Sequence, residues 1–521
     1  MDSAGVTRAL TNPMRLRLLC ERSGGVFTKL GQTLSLKNDI LPLSYTEELL
    51  FLAKNVPRVP FVEMERVFME DIGKPPELYF KTFSETPISS GSTAEIYSAT
   101  LENGERVAVK IKRPNIDEVF ERDFAVISFL ADIIEMFSMG KRRRLKEAIL
   151  EFIAWTRREL DFRYEAENAQ ILFLHSGKHP DTVVPKVYPE ISTSRVLVSE
   201  YLDDSSLPVD SVLARLLEDP SFKQRLRDEH NISLERMTTY LVDDIMRQIF
   251  IDGFFHADPH PTNMYLLKNN KLGYIDFGII GEASSRRIFL LRFLYGIAKQ
   301  NFKQAAQGFI GYAHQIFEKE MRLFKESKEG VSKKHKQAIE KIESIIESQF
   351  EEDLQRLLTP WYQAMSDTAR CVDDSPDDNT RRGKQAVPFK EKSVAQIFSH
   401  IGYSLPKYGL YAPEEVVLCF RAIAMIDMVA NRLSPHFNFI SALNHFFEEN
   451  PLPQIETMIA AESHKKELGG NIESAQQESF EELIELQTIE KEKLHVAKER
   501  LGEIIAYYAE HHEDVRAILK S

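Results

Sequence analysis

A chain of 521 residues, 43% hydrophobic and 28% charged, has the length for two or three domains, or for one large catalytic domain with helical additions, and its composition excludes global disorder. A formal charge of −13 excludes broad, sequence-independent affinity for nucleic acid, although a local basic cluster stands at Lys141-Arg142-Arg143-Arg144. Three cysteines without CxxC spacing exclude a disulfide scaffold and a thiolate zinc site, which fits a reducing cytoplasm.

Residues 8–70 read as helical, because Leu30, Leu34, Leu41, Leu49, Leu50 and Leu52 recur at helical intervals, with breaks at Pro42, Pro57 and Pro60. At Tyr79 the texture changes. Tyr79 to Phe83 predicts a strand, Pro87 to Ser92 a loop of small residues, and Glu95–Thr100 and Val107–Ile111 two more strands. The Glu102-Asn103-Gly104 turn makes the last two a hairpin, so the region reads as a small antiparallel sheet.

Amphipathic helix returns over 116–175, and a pair of short strands is expected around Thr193-Ser194-Arg195, between Val183 and Leu202. Helices resume over 208–252, a polar loop-rich segment covers His256–Gly281, and helix follows from 285 onward. A flexible linker is expected at Asp373–Val387 and an exposed amphipathic helix over 470–521. No apolar run approaches the roughly 18–20 residues of a membrane-crossing helix, and the N-terminus lacks a secretory pattern. Membrane work, if any, is expected at the surface.

The densest chemistry lies in His256-Ala257-Asp258-Pro259-His260-Pro261-Thr262-Asn263, followed by Asp276-Phe277-Gly278. Phosphoryl transfer from ATP asks for a carboxylate near the acceptor and two oxygen-bearing side chains that hold magnesium against the phosphates. Kinases meet this with an Asp, an Asn five positions later, and the Asp of a strand-borne Asp-Phe-Gly. Asp258, Asn263 and Asp276 stand in that order, the last after a plausible hairpin. Pro259 and Pro261 break the helix that an i,i+4 metal pair would need, so His256 and His260 read as loop histidines with structural hydrogen bonds.

Lys110 closes Val107-Ala108-Val109-Lys110, the pattern of a strand that presents an ammonium to the α- and β-phosphates. Such an ammonium needs a carboxylate partner from a nearby helix. Glu159, Asp161 and Glu165 are at hand; Asp161 and Glu165 share a helical face, and Glu159 and Glu165 both stand open as the partner. Ser89-Ser90-Gly91-Ser92 occupies the place of a glycine-rich phosphate cover without the GxGxxG form, and its amides and hydroxyls suit phosphate oxygens, although a plain linker has the same composition. Glu200 and Tyr201 complete the nucleotide-contact candidates. Together these make an α+β, bilobal protein-kinase-like fold: a small antiparallel sheet, a mainly helical large lobe, and extra N- and C-terminal helices. The expected segments are an N-terminal helical extension (1–75), an N-lobe with inserted helices (76–205), a helical C-lobe (206–450) and a helical tail (451–521).

This combination resembles the UbiB/ADCK (AarF) family of atypical kinases over roughly residues 20 to 445. The family's KxGQ signature matches Lys29-Leu30-Gly31-Gln32, its ExD matches Glu159-Leu160-Asp161, and its HADPHPGN loop is HADPHPTN here. Asp276-Phe277-Gly278 and the run from Tyr408 to Leu433 are also similar. The resemblance implies that the KxGQ helix folds over the active site, with Lys29 reaching Glu159 and Asp161, and that Glu165 pairs with Lys110. It implies Mg-ATP as cofactor and an ATPase or a small-molecule or lipid kinase, since the KxGQ helix fills the groove a protein substrate needs. It also implies a link to isoprenoid quinone (ubiquinone) biosynthesis or lipid homeostasis, with a lipid or quinone precursor as partner; the cysteine usage and the lack of an apolar span add the expectation of a cytoplasmic location with only peripheral membrane contact. A catalytically silent ATP-binding scaffold is the alternative, with a true protein kinase behind it. Two departures stand out: Ser89, Ser90 and Gly91 replace an alanine-rich loop, and Thr262 replaces a glycine.

Overall fold

The computed structural model describes residues 11–34, 45, 48–49, 58–137, 143–202, 205–219, 221–312, 333–373, 389–408, 410, 412–473, 502 and 504–520. The chain forms two compact units, Met1–Ile232 with His260–Ile280, and Ser233–Pro259 with Gly281–Ser521.

In the first unit the helices are α1 (Asn12–Ser23), α2 (Gly25–Leu34), α3 (Phe61–Ile72), α4 (Ile116–Phe137), α5 (Arg143–Glu159), α6 (Phe162–Ser176), α7 (Val209–Glu218) and α8 (Phe222–His230). Thr11 caps α1 by accepting from the Met14 amide, and Gly24 and Gly25, at φ of 66° and 46°, turn the chain directly into α2. Val26, Phe27 and Leu30 of α2 pack on Phe120, Phe124, Phe152 and Ile153 of the α4–α5 pair. That packing fixes the helix carrying Lys29.

The strands of this unit are β1 (Phe80–Phe83), β2 (Ser89–Ser90), β3 (Ala94–Leu101), β4 (Arg106–Lys112), β5 (Thr182–Val183), β6 (Val196–Glu200), β7 (Leu207–Pro208), β8 (Met264–Leu267) and β9 (Lys271–Tyr274). One sheet runs β1-β3-β4-β6 with β2 added to β3, and a second runs β5-β9-β8-β7. The β3–β4 hairpin pairs Ala94 with Lys112 through Thr100 with Arg106, around Gly104 at φ 89°. Strand alternation then divides β4 between two faces. Val107, Val109 and Ile111 are fully buried against Met64, Val67 and Phe68 of α3, together with Tyr97, Val196 and Val198, at about 1.5–3 kcal/mol for each large apolar side chain. Ala108 and Lys110 face the other way.

Two expectations change here. Ser89-Ser90, expected as loop, is a strand on the edge of the sheet, paired with Ile96 and Glu95. The strands expected around Thr193-Ser194-Arg195 reduce to β6 and a single Val187–Ser199 bridge, while Thr182–Val183 joins the other sheet beside β9. Pro185 and Pro189 remove ladder donors just where a partner strand to β6 would run.

The second unit is mainly helical: α9 (Leu234–Arg247), α10 (Arg287–Ala298), α11 (Lys333–Asp373), α12 (Val394–Ser404), α13 (Glu414–Leu433), α14 (Phe439–Glu449), α15 (Leu452–Glu473) and α16 (Glu513–Lys520). Ser233 caps α9, which buries Leu241, Val242 and Ile245 against α13 and α14. It then passes into a π-helical turn, Gln248–Asp252, ended by Gly253 at φ 69° and followed by the short strand Phe254–His256. The tail departs from the expected exposed helix: Tyr508 and Val515 are buried and α16 packs on α11. Residues 474–501 lie outside the described residues, as does the expected linker apart from Asp373. No helix among the described residues is long and apolar enough to cross a membrane.

Candidate nucleotide site

Lys110 leaves β4 on the face away from the hydrophobic core and meets Glu165, in the first turn of α6. Its Nζ lies 2.7 Å from both carboxylate oxygens of Glu165 and 3.7 Å from Oδ2 of Asp276. Of the two glutamates open as its partner in the sequence, Glu165 is therefore the one in contact. Burial by itself disfavours the ammonium, but Glu165 and Asp276 outweigh it and hold the Lys110 pKa well above the ordinary lysine value. Lys110 thus stays a fixed positive charge.

The ExD segment owes its geometry to a helix boundary. α5 ends at Glu159, and Asp161 caps α6 by accepting from the Arg163 amide. Glu159 forms an ion pair with Lys29 of α2, half-buried on both sides. Asp161 is turned back onto its own helix and held by Arg163 at 2.6 Å. Lys29 meets one carboxylate of the pair; the capping role takes the other. Gln32 lies on α2, and its side chain is outside the described ones.

Beside β2 a buried acid organises the small-residue loop. Glu95, fully buried in β3, accepts from the Val59 amide and the Ser90 hydroxyl, each at 2.8 Å, and from the Tyr97 hydroxyl at 2.7 Å. Arg113 donates to Ser90 at 2.8 Å and to the Gly91 carbonyl at 2.9 Å, with its guanidinium 3.5 Å from Glu95. Burial raises the Glu95 pKa, but donation from Tyr97, Val59 and Ser90 outweighs it, leaving the carboxyl below its ordinary value. The Ser90 hydroxyl is thus committed to Glu95, while Ser89, Gly91 and Ser92 are exposed. A Cβ at Gly91 would meet only the Ala94 carbonyl at 3.4 Å, so this position has room for the alanine that the resemblance implies.

The β8–β9 ladder carries the other half of the arrangement. Met264 pairs with Tyr274, and the Ile275 amide donates to the Asn263 carbonyl at 3.1 Å, so Asn263 and Asp276 adjoin the same end of the hairpin. Asp276 is half-exposed; its Oδ1 accepts from the Gly278 amide at 3.1 Å while Oδ2 faces Lys110. Asn168, one turn beyond Glu165 on α6, donates to the Phe277 carbonyl at 3.0 Å. A single helix face therefore grips both Lys110 and the Asp-Phe-Gly segment. Thr262 sits in the 3-10 turn Pro261–Asn263, its hydroxyl 3.2 Å from Oδ1 of Asn263. It is not among the non-glycine residues with positive φ, so threonine fits here without backbone strain.

In the second unit Asp258 forms an ion pair with Arg421 of α13 at 2.9 Å, and its amide donates to Nδ1 of His256. His260, in the first unit, caps the 3-10 turn by accepting from the Thr262 amide at 3.2 Å. Both histidines are hydrogen-bonded within the loop. Glu200, exposed at the end of β6, accepts from the Lys186 amide at 3.2 Å. The Tyr201 amide donates to the Arg106 carbonyl at 3.0 Å, and the Arg106 guanidinium lies over its ring.

Asn168, Glu95, Arg113 and Arg421 were missed in the sequence. Only Asn168 carried a signal there, its i,i+3 spacing from Glu165. Among the described residues no cluster of three or more His, Cys, Asp or Glu side chains is arranged to hold a metal ion. Asn263 and Asp276 offer amide and carboxylate oxygen, the hard donors magnesium takes when a nucleotide's phosphates supply its remaining ligands.

Residues 51–309 match the family model for the ABC1 atypical kinase-like domain. An uncharacterized protein of Synechocystis is 33% identical over 304 residues, 57% of this chain and 72% of that one. The probable protein kinase UbiB of Marinobacter nauticus is 33% identical over 56% of this chain, which spans about half (52%) of the relative's length. An uncharacterized chloroplastic aarF domain-containing protein kinase of Arabidopsis thaliana is 26% identical over 83% of this chain and 74% of its own. The site built on Lys110, Glu165, Asn263 and Asp276 lies within the matched segment, and the chain belongs to the ABC1 atypical kinase-like family.

Proposed function

We propose that the protein is an ATP-dependent enzyme, an ATPase or a phosphotransferase acting on a small-molecule or lipid-linked acceptor. The observation that carries this reading is the contact of Lys110 with Glu165 and Asp276. It is the lysine–glutamate pair and Asp-Phe-Gly aspartate that an active kinase brings together. Lys110, kept cationic by Glu165, binds phosphate oxygens; Asn263 and Asp276 hold magnesium; Asp258 orients the attacking hydroxyl or water. Magnesium and ATP supply the phosphoryl group and the neutralisation of its charge when they are bound. The largely exposed Ser89–Ser92 segment covers the phosphates, and Glu200 and Tyr201 line the nucleotide's other end.

The Lys29–Glu159 pair supports a small acceptor over a protein one, since it ties α2 to the end of α5 near Gly278, where Cγ of Glu159 comes within 3.7 Å of a Cβ built on that glycine. The names of the Marinobacter and Arabidopsis relatives favour kinase chemistry, and a role in isoprenoid quinone biosynthesis or lipid homeostasis is the physiological reading we attach to it. The test is nucleotide hydrolysis with magnesium, alone and with quinone-like lipids or phenols. Turnover is expected to rise with these acceptors and to vanish in Asp276→Asn. Unchanged turnover in Asp276→Asn would remove Asp276 from its role; nucleotide binding without any turnover would make the protein a scaffold.

A further inference from the structure

We infer that Arg421 is the positioning residue for Asp258, fixing the carboxylate that orients the phosphoryl acceptor; this rests on the reading of the site as a phosphotransfer site. Asp258 is held from two sides within the second unit. On the side-chain side, an Arg421 guanidinium nitrogen lies 2.9 Å from Oδ1 of Asp258, with the two side chains only 13% and 23% exposed. A charge pair so far removed from water is screened little by salt and has few alternative geometries.

On the main-chain side, the Asp258 amide donates to Nδ1 of His256, and the His256 amide donates to Oε1 of Gln248 at 2.9 Å. Gln248 in turn donates to Asp244 at 2.6 Å, and Asp244 is paired with Arg247 at 2.6 Å. Gln248 opens the π-helical turn at the end of α9, and such turns recur at functional sites. The buried network therefore sets the path of the loop, and Arg421 sets the direction of its acid.

A second observation separates this from simple fastening of α13. Nε of Arg421 is buried and has no hydrogen-bond acceptor among the described residues. An arginine placed only for packing would be expected to satisfy its buried donors. Arg421 instead commits its guanidinium to the loop aspartate.

The test is steady-state hydrolysis by the full chain as Arg421→Gln, Arg421→Lys, Asp258→Asn and the two double variants, with thermal melting of each. Arg421→Gln is expected to lower kcat about tenfold or more, with KM for MgATP changed less than about twofold, because the interaction acts on the acceptor and not on nucleotide binding. Arg421→Lys, which keeps the charge, should recover part of the loss. In the Asp258→Asn background either replacement of Arg421 should change kcat by less than about twofold, since residues acting as one unit do not add. Losses that multiply in the double variants overturn the inference, as do a KM effect with kcat intact or equal losses in the Gln and Lys variants. Loss of folding in both Arg421 variants also overturns it, by making the role structural. A wild-type chain that hydrolyses no nucleotide takes down the phosphotransfer reading and this inference together, whereas turnover with multiplying losses takes down the inference alone.

Discussion

Lys110 and Glu165 lie largely out of water, with side chains 18% and 5% exposed, so each is the other's main compensation. Removing the Lys110 charge leaves Glu165 buried and unpaired, at about 3–5 kcal/mol, whereas Lys110 without Glu165 keeps Asp276 at 3.7 Å. Lys110→Met is therefore expected to lower stability in urea by about that amount, and Lys110→Met with Glu165→Leu together by less than Lys110→Met alone. A double variant as unstable as the sum of the singles would mean that the two residues are not a pair. At this scale the sequence was legible wherever chemistry imposes an order along the chain. Lys110, Asp258, Asn263 and Asp276 stand out because their types and spacing are those phosphoryl transfer asks for, and the structure brings Lys110 within 3.7 Å of Asp276. Spacing alone could not choose Glu165 over Glu159, although the resemblance implied it, because the choice depends on where α5 ends, and Asp161 shows its cap only once the chain breaks there.

Among the elements, β2 and its clamp illustrate what periodicity leaves out. Ser89-Ser90 has no apolar alternation, and it becomes a strand because Glu95 pairs with Ser90 through both backbone and side chain. The same acid reaches the Val59 amide just ahead of α3, so one carboxylate links the start of α3, the small-residue loop and Arg113. Its pKa is lowered in the folded protein, so its stabilisation is complete above the unfolded-state value of about 4.3 and is lost as pH falls through the folded value. The stability difference between wild type and Glu95→Gln, measured in urea, should therefore be large near neutral pH and shrink on acidification below about pH 4. A gap that stays constant or widens in acid would contradict this. The hairpin at Gly104, in contrast, was legible from three residues, since a left-handed turn between two β-rich runs has few other uses.

At the scale of the molecule, the small sheet, the helical remainder and the family were all readable. The motif segments that are continuous in sequence fall in different units, with 233–259 in one and 260–280 in the other, because packing, not chain order, decides membership. The end of the tail differs from its composition: a Glu- and Lys-rich stretch reads as exposed, yet Tyr508 and Val515 are buried and α16 packs on α11. The central claim is that Lys110 is a phosphate-binding cation within a magnesium-nucleotide site. Calorimetric titration of ATP into the wild-type chain and into Lys110→Met, with magnesium and with a chelator, tests it most directly. The account predicts magnesium-dependent binding to the wild type and a loss of about tenfold or more in affinity for Lys110→Met, as befits a charge-assisted contact. Equal affinity in the two proteins, or binding indifferent to magnesium, would contradict it.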